Sequence, residues 1–313
     1  MIYDINGVPL DCEGGSGSDV PHTDVQCRSA FMSYLDKKRG LLGMTGTHFE
    51  NPHGMTESSY TTAQDLLKLT VTACGYRVGM DIWSSPAQSF SITGGHARTV
   101  AIQNNVRNAA EADVTAFKFL GGKGGSLIYS SGYHRAQVLT FEVDGRTVAV
   151  ALTALGQSNY NNIYKSANEV LQMVQASMNG QTPTKGTYLT ALVNGNGGFC
   201  GVPLPTQIGD YVNSFSPADL LTLPNAVYEG QTQSRYPAST TKTMTMICAL
   251  DWITDLHKPF TVKSSDIFSG SGSTYYDGDT MTALDMLRIM MMESSNTLAN
   301  AVARNVGGII LSH

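Results

Sequence analysis

One segment constrains the fold more than any other: Val138-Leu-Thr-Phe-Glu-Val, then Asp144-Gly145, then Thr147-Val-Ala-Val-Ala-Leu-Thr. Two β-branched, apolar runs separated by an Asp-Gly pair read as an antiparallel hairpin. Helical periodicity lies on both sides of it. Phe31, Tyr34 and Leu35 recur at helical spacing up to Arg39, with Gly40 as a stop. Thr62–Thr72 places Ala63, Leu66, Leu67 and Val71 on one face, and Asn108–Ala116 holds helix formers ahead of Gly121-Gly122. A helix over Ile163–Met178 buries Ile163, Ala167, Val170, Leu171 and Val174. Helices alternating with antiparallel hairpin signals predict an α+β fold, with helices packed on an antiparallel sheet.

The chain divides by composition. Residues 1–27 read as an N-terminal attachment: a short strand, an Asn6-Gly7 turn and the flexible Glu13-Gly-Gly-Ser-Gly-Ser. Residues 28–178 hold the hairpin and its helices. Residues 179–224, rich in Gly, Asn, Pro and Thr, read as a linker or inserted segment with one strand at Tyr188–Val193. Residues 225–313 resume regular structure. A short strand lies near Ala226–Glu229, and a helix opens at Tyr236-Pro-Ala-Ser239 and buries Met244, Ile247, Cys248 and Leu250. A last helical region, Thr282–Val306, is broken by the Glu293-Ser-Ser-Asn turn.

Composition excludes several classes. With 313 residues, 42% hydrophobic and 14% charged, the chain reads as globular and soluble. A formal charge of −5 offers no basic stripe, so no nucleic-acid partner is expected. No stretch reaches the roughly 18 apolar residues of a membrane span. Met1-Ile-Tyr-Asp-Ile-Asn-Gly lacks the features of an export signal, leaving a cytoplasmic protein or a mature one with its signal removed. The five cysteines (Cys12, Cys27, Cys74, Cys200, Cys248) form no C-x-x-C pair, so no metal site is expected. Cys12 and Cys27 can pair if the protein is exported; free thiols are the other reading.

Three short motifs carry chemistry. Ser239-Thr-Thr-Lys242 sets a hydroxyl and an amine one helical turn apart, and a serine nucleophile needs a base within hydrogen-bond reach. Lys242 serves as that base only if burial or a neighbouring cation keeps it neutral. Alone, the motif is better read as a capping serine before a surface lysine, and the Pro237-Ala238 before it and the apolar helix after it favour the chemical reading. Ser294-Ser295-Asn296 supplies a second hydroxyl for proton relay and an amide for a substrate carbonyl, though a helix cap explains the bare tripeptide. In Gly121-Gly122-Lys123-Gly124-Gly125-Ser126 a lysine beside glycines on a strand can present its ammonium to a carboxylate. Alone it is a flexible turn, and the phosphate-loop spacing is absent.

Together the three resemble the penicillin-recognising active-site-serine enzymes, whose signatures are S-x-x-K, S-x-N and K-T-G. Ala226-Val-Tyr-Glu-Gly through Thr245, Leu42-Gly-Met-Thr-Gly-Thr-His-Phe-Glu-Asn-Pro-His-Gly-Met and Tyr60-Thr-Thr-Ala-Gln-Asp-Leu are similar to D-alanyl-D-alanine carboxypeptidases, the low-molecular-mass penicillin-binding proteins. The similarity spans residues 28–178 and 225–313. It implies a β-lactamase/transpeptidase-like fold, an antiparallel sheet flanked by helices plus a helical subdomain. It also implies an extracytoplasmic location, with peptidoglycan stem peptides and β-lactam antibiotics as partners and no cofactor.

By the same resemblance Ser239 is the nucleophile, Lys242 its base, Ser294 the proton relay and Asn296 the residue that positions the peptide. Lys123 contacts the substrate carboxylate and helps keep Lys242 neutral. Gly124, Gly125 and Ser126 border the substrate, with the Ser239 and Ser126 N–H groups as oxyanion donors. His48 and His53 belong to a structural stretch. Two departures stand out. The Lys123 motif precedes Ser239 and Ser294, which implies a circular permutation, closed within one chain or exchanged in a swapped dimer, with His313 ending beside the Arg28 helix. Gly124 stands where the family has Thr or Ser, which removes a hydroxyl from the carboxylate site and leaves Ser126 or Ser130 to replace it. A β-lactamase or esterase on the same fold, and a non-catalytic peptidoglycan-binding homologue, are the competing functions.

Overall fold

The computed structural model describes residues 22–108, 118–127, 130–204 and 217–313. Its first elements are α1 (Asp24–Leu41), α2 (Ala63–Cys74), α3 (Arg77–Trp83), β1 (Gln88–Ile92) and β2 (Arg98–Ile102). Next come β3 (Lys118–Leu127), β4 (Gly132–Val143), β5 (Arg146–Gln157), α4 (Tyr160–Met178) and α5 (Thr187–Asn194). The chain ends with β6 (Gly198–Leu204), β7 (Val227–Glu229), α6 (Lys242–Trp252), β8 (Pro259–Thr261), β9 (Thr280–Thr282), α7 (Ala283–Met292) and α8 (Asn296–Leu311).

The hairpin is the centre of the sheet. Val143 stands opposite Arg146, so Asp144 and Gly145 form a two-residue loop. Their φ angles of 48° and 73° are the left-handed pair that a tight hairpin of this twist requires, and an Asp-Gly pair supplies them cheaply. The five strands run β3-β4-β5-β6-β7, every neighbouring pair antiparallel.

Alternation along β4 and β5 explains why both runs are almost wholly apolar. Val138, Ala149, Ala151 and Leu155 face one core, shared with α1, α2, α6, α7 and α8. Leu139, Phe141, Val150, Leu152 and Ala154 face a second core, shared with α4 and with Leu189 and Leu192 of α5. The sheet is covered on both faces, so both registers of side chains are mostly apolar. His134, Arg135, Gln137 and Gln157 are buried polar exceptions, and Thr153 is another. Its buried hydroxyl donates to the Ala63 carbonyl (2.9 Å) and fastens β5 to the start of α2.

Three expectations need correction. Tyr188–Val193 is helical, not a strand: Leu189 and Leu192 lie one turn apart and both point into the second core. Within the segment read as a linker, β6 is a full member of the sheet, hydrogen-bonded between β5 and β7. The change expected at Arg28 falls inside α1, which begins at Asp24. Thr23 and Gln26 form a reciprocal capping box there, a signal present in Thr23-Asp-Val-Gln26. Residues 1–21, with Cys12 and its pairing, lie outside the described residues; Cys27, Cys74, Cys200 and Cys248 are free and buried. Of the expected helix over Asn108–Ala116, only residue 108 is described, closing a helical turn over 105–108.

The two sequence halves dock through helices and buried ions. α1 lies along α8 so closely that a Cβ on Gly307 would strike the Cys27 carbonyl. Asp266 is fully buried and accepts from Arg304 at 2.7 Å and from Arg28 at 3.2 Å. Asp251 receives Lys38 (2.7 Å) and the hydroxyls of Tyr34 and Tyr76. His313 ends 6.1 Å from the Trp252 ring, itself edge-on to Tyr34 of α1.

Leu152 is fully buried in the second core. Leu152→Ala should cost about 2–5 kcal/mol of unfolding free energy, seen as a lower urea midpoint with unchanged far-ultraviolet circular dichroism. A loss below about 1 kcal/mol would mean that the face is not packed as described.

Candidate active site

The Ser239–Lys242 motif sits on a strained turn. Ala238 has φ 50°, a left-handed conformation unusual outside glycine, and opens a 3-10 turn (Ala238–Thr241) that runs directly into α6. The Thr240 hydroxyl donates to the Pro237 carbonyl at 2.6 Å and braces the turn. Gly54 crosses so close that a Cβ there would collide with the Ala238 carbonyl. Strain of this kind persists only where neighbours over-determine the backbone, and it concentrates at functional sites.

That turn places Ser239, 6% exposed, within 2.9 Å of the fully buried Lys242 Nζ. Lys242 has two further partners, the Asn296 Oδ1 at 2.7 Å and the His53 carbonyl at 3.2 Å. Both are acceptors. A neutral amine has two N–H bonds and one lone pair, so the lone pair is left for the Ser239 hydroxyl proton. Burial, and then the nearby Lys123 ammonium, push the Lys242 pKa well below its ordinary value. Position and the direction of the shift agree: the arrangement favours proton acceptance by this amine from Ser239.

Ser294 lies in the break between α7 and α8 and also has a positive φ, 69°. Ser295 caps α8, its hydroxyl accepting from the Leu298 N–H, and so holds the break in place. Asn296 is already engaged at both ends of its amide, with Lys242 and with the Ser269 carbonyl at 3.4 Å. Its geometry orients the lysine as much as any ligand.

β3 brings in the third motif from the other half of the chain. Lys123, 2% exposed, donates to Ser294 Oγ at 2.9 Å and to the Gly124 carbonyl at 2.8 Å. Burial, with Arg135 second, lowers its pKa from 10.5 to about 7. Gly125 is required by a close approach: a Cβ there would lie 2.9 Å from the Pro237 carbonyl oxygen and 3.1 Å from the Ser239 nitrogen. Lys123, Gly124, Gly125, Ser126, Ser239 and Ser294 line one open cleft of about 220 Å³.

His53 contributes its carbonyl rather than its ring. The ring packs on Phe268 at 4.4 Å, and burial with Lys242 nearby lowers its pKa to about 3, so it stays neutral at ordinary pH. His48 is exposed and pairs with Glu50. Among the cleft residues that escaped the sequence reading, Arg135 and Glu293 carry charged side chains. Arg135 stands opposite Gly124 on β4, a pairing that only the strand register reveals. Glu293 precedes Ser294, and its carboxylate accepts from the Ser273 and Tyr275 hydroxyls. Its position beside Ser294 was the available signal.

Residues 207–310, the segment that carries Ser239, Lys242, Ser294 and Asn296, match the family model described as the Beta-lactamase enzyme family. The match spans about a third of the chain and excludes Lys123. It supports a serine hydrolase of the penicillin-recognising kind, and with the helices on an antiparallel sheet it fits a β-lactamase-like fold. No curated protein and no solved structure matches the chain.

The lowered pKa of Lys123 predicts a pH dependence of stability. Between about 7 and 10.5 the unfolded chain binds more protons at this site than the folded one, so stability rises with pH across that window. Wild-type stability measured against Lys123→Met should therefore improve from about pH 7 to about pH 10 in urea titrations. A gap that does not change with pH would show that the buried amine keeps its proton.

Proposed function

We propose that this chain is a serine-type D-alanyl-D-alanine carboxypeptidase, acting on peptidoglycan stem peptides through an acyl-enzyme that β-lactams also form. The observation that carries the reading is the hydrogen bonding of Lys242, whose two acceptor partners leave its lone pair to Ser239. Ser239 Oγ attacks the carbonyl carbon of the penultimate residue as its proton passes to Lys242 Nζ. The C–N bond then breaks, and the departing amine takes a proton from Ser294, which is replaced by the one Lys242 took from Ser239, so that both Ser294 and Lys242 return to their starting states. Lys123 donates to the Ser294 oxygen, which leaves the Ser294 O–H free to point at that amine. The N–H groups of Ser239 and Ser126 would hold the oxyanion, at about 3–4 kcal/mol per donor. Water releases the acyl group by the reverse proton path.

In this reading the motif order, Lys123 before Ser239 and Ser294, is a circular permutation closed within one chain. The contacts of Asp266 and Asp251 across the two halves support closure. The protein works outside the cytoplasm, where its substrate lies. The name of the matched family favours a second reading, a β-lactamase that hydrolyses rather than retains the drug.

Incubation with benzylpenicillin should add the drug's mass to the wild-type chain and none to Ser239→Ala. If the alanine variant still gains that mass, the nucleophile is elsewhere. Rapid release of penicilloate with no lasting adduct would favour the β-lactamase. Lys242→Arg keeps the charge but supplies no lone pair, so acylation should fall about a hundredfold to ten-thousandfold. Near-normal acylation in that variant would remove Lys242 from the role of base.

A further inference from the structure

The cleft runs past its reacting groups to a wall of tyrosines. Tyr133, near the start of β4, and Tyr160 and Tyr164, near the start of α4, line it together with Lys123, Gly124 and Ser294. Tyr164 is buried, with the Arg135 guanidinium 4.2 Å from the centre of its ring. Tyr160 is different: it is 49% exposed, so a large apolar surface stands open inside a concave cleft. The ring is nonetheless held. Tyr133 stands 5.4 Å from it at 69° and Tyr164 5.3 Å at 82°, both edge contacts, and the Tyr160 and Tyr164 hydroxyls are 2.6 Å apart. A ring already ordered by its neighbours loses little rotamer freedom when a ligand packs on it.

The tyrosines lie on the leaving side of the cleft. Ser294 is the hydroxyl that meets the departing amine, and Lys123 ties it to β3 at 2.9 Å. The next residue, Gly124, stands across the ladder from Arg135, which is stacked on Tyr164. The route from Ser294 to the tyrosines therefore passes Gly124, where β3 puts no side chain in the way. A Cβ there would stand 3.3 Å from Arg135 Nη1 and narrow the passage. A departing D-alanine offers this surface only a methyl group, whereas an aromatic side chain would cover it.

We propose that Tyr160 forms a specificity subsite for an aromatic side chain on the departing residue. The peptides that suit the cleft then end in an aromatic D-amino acid, joined to the residue whose carbonyl Ser239 attacks. Tyr133 and Tyr164 are positioning residues that hold the platform edge-on. The Tyr160 hydroxyl is engaged by Tyr164, so the ring and not the hydroxyl makes the contact. The inference rests on the acyl-enzyme reading for the bond that is cut, and goes beyond it in the residue that leaves.

Two measurements on the full chain test the platform. The first is the ratio of kcat/KM for diacetyl-L-lysyl-D-alanyl-D-phenylalanine and for the same peptide ending in D-alanine. Wild type should favour the phenylalanine peptide, and Tyr160→Ala should reduce that preference by about tenfold to hundredfold. Tyr160→Phe, which keeps the ring, should retain it. No preference in wild type, an unchanged ratio in the alanine variant, or a lost preference in the phenylalanine variant would overturn the platform. A fold defect that slows both peptides alike leaves the ratio intact and so reads as the same refutation. The second measurement is calorimetric binding of N-acetyl-D-phenylalanine against N-acetyl-D-alanine. Wild type should bind the aromatic acid more tightly, and Tyr160→Ala should erase the difference. Equal affinities in wild type would overturn the platform whatever the variants do. If neither peptide is cleaved but the aromatic acid binds more tightly and Tyr160→Ala removes that preference, the platform stands and only the acyl-enzyme reading falls.

Discussion

A fully buried amine with three polar partners organises this molecule. Lys242 needs the side chain of Ser239 one turn before it, the carbonyl of His53 from a loop after α1, and the amide of Asn296 from the start of α8. None of the three is free to drift, because each lost partner would leave a polar group unsatisfied in a dry interior. Ala238, just before Ser239, and Ser294, two residues before Asn296, both have positive φ angles. Each costs about 1–3 kcal/mol and survives because the surrounding contacts leave the backbone no alternative.

Two lysines within one buried site cannot both keep ordinary pKa values. Burial disfavours the charge on each; the Lys123 ammonium disfavours it further on Lys242, and Arg135 disfavours it further on Lys123. The outcome is a division of roles that chemistry can use: one amine available as an acceptor, the other bound to the second hydroxyl. The nearby guanidinium of Arg135 adds to this pressure on Lys123.

The sheet makes such a site possible by placing it at an edge. β4 and β5 are committed on both faces to packing, and β3, with β4 as its one strand neighbour among the described residues, offers its other side to the Ala238–Thr241 turn. Glycines along β3 let backbone meet backbone there. The halves that supply Lys123 and Ser239 are held together far from the cleft, by α1 against α8 and by the buried carboxylates Asp251 and Asp266. Site geometry thus depends on ion pairs and helix packing with no part in the chemistry.

The sequence by itself determined what is local. The Asp144-Gly145 turn, the helices with a 3.6-residue apolar stripe and the Ser239–Lys242 spacing are all set by neighbours a few residues apart. Local patterns mislead where a run is short. Tyr188–Val193 has strand-forming residues, yet it is helical because Leu189 and Leu192 must share a face against α4 and β5. Only the tertiary structure decided which strand lies beside Gly124, and therefore that Arg135 fills the space a side chain there would need. It alone decided that His53 meets Lys242 through its carbonyl, and that burial holds the Lys242 pKa well below its ordinary value. These depend on pairings between residues up to 189 positions apart, where burial and strand register replace spacing as the controlling variables.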